Sequence, residues 1–312
     1  MLRPLLALAT LAACSDDASA IDAAITSDTA TTDAAATCTA LGPCDWLADY
    51  QRRIVSTLGG TLEIAPGVML QHRASIAERD YARTFLLAEF TALSITPVRA
   101  DYTFQSFSGA NVIATLPATA PANDALPAIL VGAHFDGVAA GPGAADNATG
   151  VAIVLAAARY LATVPTRNRP IIFALFDQEE LGLIGSKAYV ASLTQATTQL
   201  RGAHVFDMLA WDGDGDHAVE LWSPSPALEA LYMTHGPAAN TPIQKVTFAS
   251  SDHKAFLDGG YPAVGIGEEF VGGDHTPHYH KATDTVANVQ FDHLAVVTRL
   301  AFAVLEADVA AP

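Results

Sequence analysis

Four long apolar runs do most to decide what this chain can become. They are "LPAILVGAHFD" (126–136), "RPIIFALFD" (169–177), "GAHVFDMLAW" (202–211) and "YPAVGIG" (261–267). None alternates with polar residues. A strand reads this way when both of its faces are covered, as in a parallel sheet with helices on either side. The intervening segments have helical spacing: "DNATGVAIVLAAARYLA" (146–162), with Asp146 or Asn147 near its start, "GSKAYVASL" (185–193), "SPALEALYMTHG" (225–236), "SDHKAFLDGG" (251–260) and "FDHLAVVTRLAFAVLEADV" (291–309). "AVELW" (218–222) and "PIQKVTF" (242–248) read as further strands. Upstream, residues 45–58 and 75–93 are spaced as helices, and "VRADYTFQSF" and "NVIATL" as an antiparallel pair turning at Ser108-Gly109. The expected fold is α/β: a mainly parallel mixed sheet sandwiched between helices in three α/β/α layers, forming a single domain over 38–312.

In open α/β sheets, ligands bind beyond the carboxyl ends of the strands. Here those ends carry acids and histidines. The first run ends in His134 and Asp136, the second in Asp177 followed by Glu179 and Glu180, and the third holds Asp207. "GPGAADNATG" (141–150) brings Asp146 to a helix start, and "DHTPHYHKATDT" (274–285) holds His275, His278 and His280. Asp177, Glu179 and Glu180 at one strand end repel each other and need positive charge. Metal ions are the expected source, and a mixed imidazole and carboxylate set suits zinc. Two ions need a bridging carboxylate, and Asp146 sits on a loop between the strand ends.

Taken together, "GAHFD…GAADNATG…FDQEELGLIGSKAY…FDMLAWD…YHKATDT" closely resembles the M28 family of zinc aminopeptidases, over roughly residues 127–290. The resemblance implies that His134 and Asp207 bind one zinc, Glu180 and His280 the other, and that Asp146 bridges both. It makes Glu179 the general base that activates water for hydrolysis of an N-terminal peptide bond. Asp136 is expected to receive the second N–H of His134, and Tyr279 to donate to the oxyanion or simply to pack. Asp284 reads as support for the His280 loop or as a turn residue. Two Zn²⁺ ions balance Asp146, Glu180, Asp207 and one hydroxide, which favours burial. The alternatives are a single-zinc glutaminyl cyclase or a carboxypeptidase of the same architecture, and a non-catalytic lipoprotein that binds peptides or metal.

The remaining features bear on location and partners. "MLRPLLALATLAAC" resembles a bacterial lipoprotein signal, with Cys14 as the lipidated residue and an ordinary signal peptide as the alternative. Residues 15–37 lack aromatic side chains and read as a flexible Ala/Thr/Asp tether. An exported protein anchored at the cell envelope, or secreted if Cys14 is not lipidated, follows. In that oxidising compartment Cys38 and Cys44 are a plausible disulfide. The net charge of −17, with no basic patch, speaks against nucleic acid and leaves a peptide or protein N-terminus as the expected partner. "WDGDGDHAVE" (211–220) fails the EF-hand pattern, with His217 at the glycine position, and reads as a polar turn, a calcium site being the alternative. His253, His275 and His278 are candidate pocket residues. His72, His204, His217, His235 and His293 read as structural or exposed.

Overall fold

The computed structural model describes residues 38–193 and 199–311. The Cys14 lipidation signal and the 15–37 tether lie outside the described residues. Two helices come first, α1 (Leu47–Leu58) and α2 (Ile76–Ala92), followed by the hairpin β1 (Pro97–Phe104) and β2 (Phe107–Leu116). The alternating part runs β3 (Ala128–His134), α3 (Gly150–Thr163), β4 (Ile171–Phe176), α4 (Ile184–Ser192), β5 (Leu200–Phe206), β6 (Val219–Trp222), α5 (Pro226–His235), β7 (Ile243–Val246), α6 (His253–Asp258), β8 (Ala263–Gly267) and α7 (Phe291–Ala310). Cys38 and Cys44 are disulfide-bonded just before α1. Among the described residues no helix is long and apolar enough to cross a membrane.

All eight strands form one sheet in the order β1-β2-β4-β3-β5-β8-β6-β7. Its centre, β4-β3-β5-β8, is parallel, whereas β2 joins β4 and β6 joins β8 antiparallel. The apolar runs are explained by burial on both faces. Ile129, Val131, Phe173 and Leu175 face the layer built by α1, α2, α3, α5 and α7. Leu130, Phe176 and Val205 face the thinner layer of α4 and α6, against Tyr189 and Phe256. Helix α3 is buried along nearly its whole length. Helix α2 starts with a capping box, Ser75 Oγ accepting from the Glu78 amide at 3.2 Å.

Three local expectations change. The β1–β2 turn lies at Gln105-Ser106, not at Ser108-Gly109, because Phe104 pairs with Phe107 and Gly109 pairs with Tyr102. Gly109 instead permits close cross-strand approach, since a Cβ there would lie 2.5 Å from the Tyr102 hydroxyl. The third apolar run leaves the sheet after Phe206. Asp177 is neutralised by arginine and not by metal. Arg79 Nε lies 2.8 Å from its Oδ1 and Arg83 Nη2 lies 2.7 Å from its Oδ2, all three side chains being buried. Both arginines come from α2, so this ion cluster pins α2 to the end of β4. Periodicity shows that α2 is a helix but not which charge its arginines meet.

Breaking a buried ion cluster from one side strands the partner charges, at about 3–5 kcal/mol. Asp177→Asn is therefore expected to lower unfolding free energy by about that amount in urea titration, with zinc content unchanged. Loss of zinc at undiminished stability would return Asp177 to the metal set.

Candidate metal centre

The chain runs from β3 to β4 on one side, then to β5 on the other. A crevice therefore opens at the carboxyl ends of β3 and β5, where the strand order reverses. His134 is the last residue of β3, Asp207 follows β5 directly, and Glu179 and Glu180 follow β4. His280 arrives on the loop before α7, with φ +54°.

Asp146 occupies the middle of this group. It does not cap α3, because its φ/ψ are non-helical and the helix begins at Gly150. Asn147 does the capping instead, its Oδ1 accepting from the Gly150 amide at 2.9 Å. The Asp146–Asn147 peptide is cis. The Asp146 carboxylate faces the crevice. Its Oδ1 lies 3.3 Å from His134 Nε2 and its Oδ2 lies 3.3 Å from His280 Nε2. His134 Nε2 is also 3.3 Å from Asp207 Oδ1, and His280 Nε2 is 3.0 Å from Glu180 Oε2. Two ligands held ~2.0–2.1 Å from one tetrahedral zinc lie ~3.3 Å apart, which three of the four separations match, the His280–Glu180 pair being closer at 3.0 Å. Glu180 Oε1 is buried without a hydrogen-bond partner among the described residues. The donor set therefore fits zinc.

The surrounding groups fix these side chains. Asp136 accepts from the amides of Glu179 and Glu180 at 3.0 and 3.2 Å, and its Oδ1 lies 3.3 Å from His134 Nδ1. One carboxylate thus orients an imidazole and the turn carrying both glutamates. Asp284 accepts from the amides of Ala145 and Asp146 at 2.6 and 3.1 Å. Asp207 Oδ2 accepts from Ser251 Oγ at 2.7 Å. Glu268 accepts from Ala210 and Thr276, tying the loop after β5 to the His280 loop, and burial pushes its pKa to about 8.

Sequence reasoning missed Arg73. It is fully buried and donates to the carbonyls of Leu58, Phe135, Pro142 and Gly143 at 2.6–2.8 Å. Its positive charge lies beneath the loop that presents Asp146. Gly143, with φ +68°, allows that packing, since a Cβ there would come within 2.4 Å of the Asp146 carbonyl. Arg73 precedes α2 outside any periodic segment, so no pattern marks it.

The electrostatics of the crevice demand positive charge. Burial opposes protonation of His134, yet Asp207 and the neighbouring acids hold its pKa well above the usual histidine range. Burial, then repulsion from Asp146, pushes Glu180 to about 8. Burial likewise raises Glu179 well above the carboxylate range; His134 pulls it down, and Asp252 and Asp207 push it up.

The crevice is walled by Met208, Trp222, Phe248, Phe270 and Tyr279, with Glu179 inside. The Tyr279 ring stacks on His280, centroids 3.8 Å apart. Of the other candidate histidines, His253 is buried behind the wall, its Nε2 3.0 Å from the Phe248 carbonyl. His275 packs against Phe270, ring centroids 4.5 Å apart and planes tilted by 35°. His278 bonds Thr283 and does not line the crevice. His204 lies in the sheet between Tyr232 and Asp308. A larger cleft at the opposite strand ends, near Thr115, Leu126 and Pro170, presents only Asp124 as a charged group among its described lining residues.

The comparisons fit this geometry. A probable lipoprotein aminopeptidase, LpqL of Mycobacterium tuberculosis, is 32% identical over 234 residues, covering 64% of this chain and 46% of that protein. The chain thus spans about half the length of the curated relatives it matches. A zinc aminopeptidase of Bacillus subtilis, BSAP, superposes with TM-score 0.59 at 25% identity, covering 66% of this chain and 51% of that one. The Legionella pneumophila aminopeptidase LapA has TM-score 0.74 at 19% identity, covering 85% and 72%, a likeness of fold. The model of peptidase family M28 matches residues 111–305, which contain every side chain of the crevice, and the chain belongs to that family.

Proposed function

We propose that the protein is a two-zinc aminopeptidase. In this reading His134 and Asp207 hold one ion, Glu180 and His280 the other, and Asp146 lies between them. The observation that carries it is the Asp146 carboxylate, which turns one oxygen to each of two imidazoles from opposite ends of the domain, at ligand-pair spacing. When bound, the ions supply Lewis acidity and bring the pKa of water toward neutrality.

The chain's own groups do the rest. Glu179 takes a proton from the attacking water and returns it to the leaving amine. Its raised pKa is the direction a carboxylate needs to do both near neutral pH. Asp136 holds the Glu179 amide, so the base keeps its place through the cycle. The Tyr279 hydroxyl, at the crevice mouth, donates to the oxyanion that forms on the scissile carbonyl. Glu179, the one crevice acid among the described residues that holds no ion in this reading, faces the free N-terminal amine. The aromatic wall excludes water and favours a bulky apolar first side chain. Cys14 carries lipid, and residues 15–37 tether the domain at the cell envelope. Mass spectrometry of the mature N-terminus tests this, and a chain beginning elsewhere than a lipidated Cys14 removes the anchor.

Glu179→Gln is expected to lower kcat by about 10²–10⁴-fold, the usual contribution of a general base, with bound zinc unchanged by elemental analysis. A variant that kept most of its turnover would assign the proton transfer to another group. For specificity, leucyl p-nitroanilide is expected to exceed the aspartyl and lysyl substrates in kcat/KM by at least about tenfold. Activity on all three should vanish with chelator and return with zinc. Equal rates across the panel would remove the aromatic wall as the specificity element.

A further inference from the structure

A second set of metal-type side chains meets away from the crevice, where the loop after β5 touches the start of α7. His293 is 1% exposed, and the side chains of Asp212 and His217 are 6% and 29% exposed. Three basic atoms face one another. His217 Nδ1 lies 2.7 Å from Asp212 Oδ2 and 3.4 Å from His293 Nδ1, and His293 Nδ1 lies 3.9 Å from the same oxygen. The two ring centroids are 5.6 Å apart with planes 22° from parallel. That separation exceeds the nitrogen separation by about two ring radii, so the nitrogens lie between the rings and point at each other.

Hydrogen bonding with neutral rings satisfies this cluster poorly. If His217 Nδ1–H donates to Asp212, His293 Nδ1 has only that shared proton to accept. If His293 Nδ1–H donates instead, His217 turns a lone pair on the carboxylate at 2.7 Å. A dication accepts all three lone pairs together. The point equidistant from the three atoms lies in their plane, ~2.0 Å from each, the bond length of zinc to nitrogen and carboxylate oxygen; evening the 2.7 and 3.9 Å separations toward the ~3.3 Å of tetrahedral ligand pairs lifts the ion from that plane.

The neighbourhood also orients the ligands. Asp212 Oδ1 accepts from the amides of Gly215 and His217 at 3.0 and 3.2 Å, which aims Oδ2 at the imidazoles. The other loop acids are engaged elsewhere. Asp214 and Asp216 accept from the amides of Asp216 and Ala218, and Asp274 from those of Gly213 and Asp214 and from Trp211 Nε1.

We propose that Asp212, His217 and His293 form a separate structural site for a zinc-type dication, clipping the 211–218 loop to α7. The half-exposed side of His217 leaves the fourth position to water. The full chain, loaded with zinc and dialysed into metal-free buffer, is expected to retain one more equivalent of zinc per chain than His217→Ala, by elemental analysis. Peptidase activity should stay within about twofold, because His217 lies outside the crevice. The readout is a difference between two proteins, so it does not depend on how many ions the crevice holds. His293→Gln is expected to lose the same equivalent. Equal zinc in the wild-type chain and His217→Ala would overturn the site and leave an ordinary His–Asp contact.

Discussion

Crowding of carboxylates at one sheet edge is the constraint from which the rest of this structure follows. Asp136, Asp146, Asp177, Glu179, Glu180 and Asp207 all emerge where β3, β4 and β5 end. Left alone, such a group would drive up its own pKa values and loosen the loops that hold it. Each acid is compensated differently. Asp177 meets two arginines of α2, and Asp136 meets two backbone amides and an imidazole. Among the described residues, Asp146, Glu180 and the Oδ1 of Asp207 have imidazoles as their ion-pair partners and one another as neighbours. The fold thus cancels charge at the margins and leaves a concentrated deficit in the centre. That is a design for holding cations, because a site neutralised by its own side chains would gain little by binding one.

Arg73 shows how the same economy works through the backbone. A buried guanidinium without a carboxylate contact would be unfavourable. Here its fork is filled by carbonyls from three segments, including both sides of the Asp146 loop. Those carbonyls would otherwise be hard to satisfy in a tight non-helical loop. Asp284 does the complementary job on the amide side of the loop. Between them, donor and acceptor demands of an irregular segment are met, and Asp146 is held in position by groups that do not touch the crevice.

The central sheet was legible because double-sided burial leaves unbroken apolar runs, and the gathering of acids and histidines was legible because parallel strands deliver their ends to one edge; the choice of His134, Asp146, Glu180, Asp207 and His280 among them rested on the resemblance to family M28. What escaped was charge assignment and turn placement. Asp177 is adjacent in sequence to the crevice acids, yet its partners, Arg79 and Arg83, lie on a helix almost a hundred residues earlier. Gly109 looks like a turn residue but serves a cross-strand contact with Tyr102. Asp146 looks like a helix cap, and Asn147 takes that place. The Asp177 pairing is long-range, and local pattern carries no record of it; the other two are decided within one hairpin and one helix start, where neighbouring residues could equally have taken the role.

The crevice also separates two kinds of element. The inner acids and His134 stand on or beside central strands, whose side chains have no room to move. Phe248, Phe270 and Tyr279 stand on connections around β8, where burial is partial. Those connections are free to change length and sequence without disturbing the strands. His280 sits on the outer kind of element but must meet the inner ones. It is held by stacking with Tyr279 and, through Glu268, by the tie between the Thr276 and Ala210 amides. The joint between the inner acids and the aromatic wall therefore lies in the 268–285 segment. A change there alters the shape of the wall and the position of the His280 imidazole together, whereas a change on β3 or β5 acts on His134 or Asp207 and leaves the wall in place.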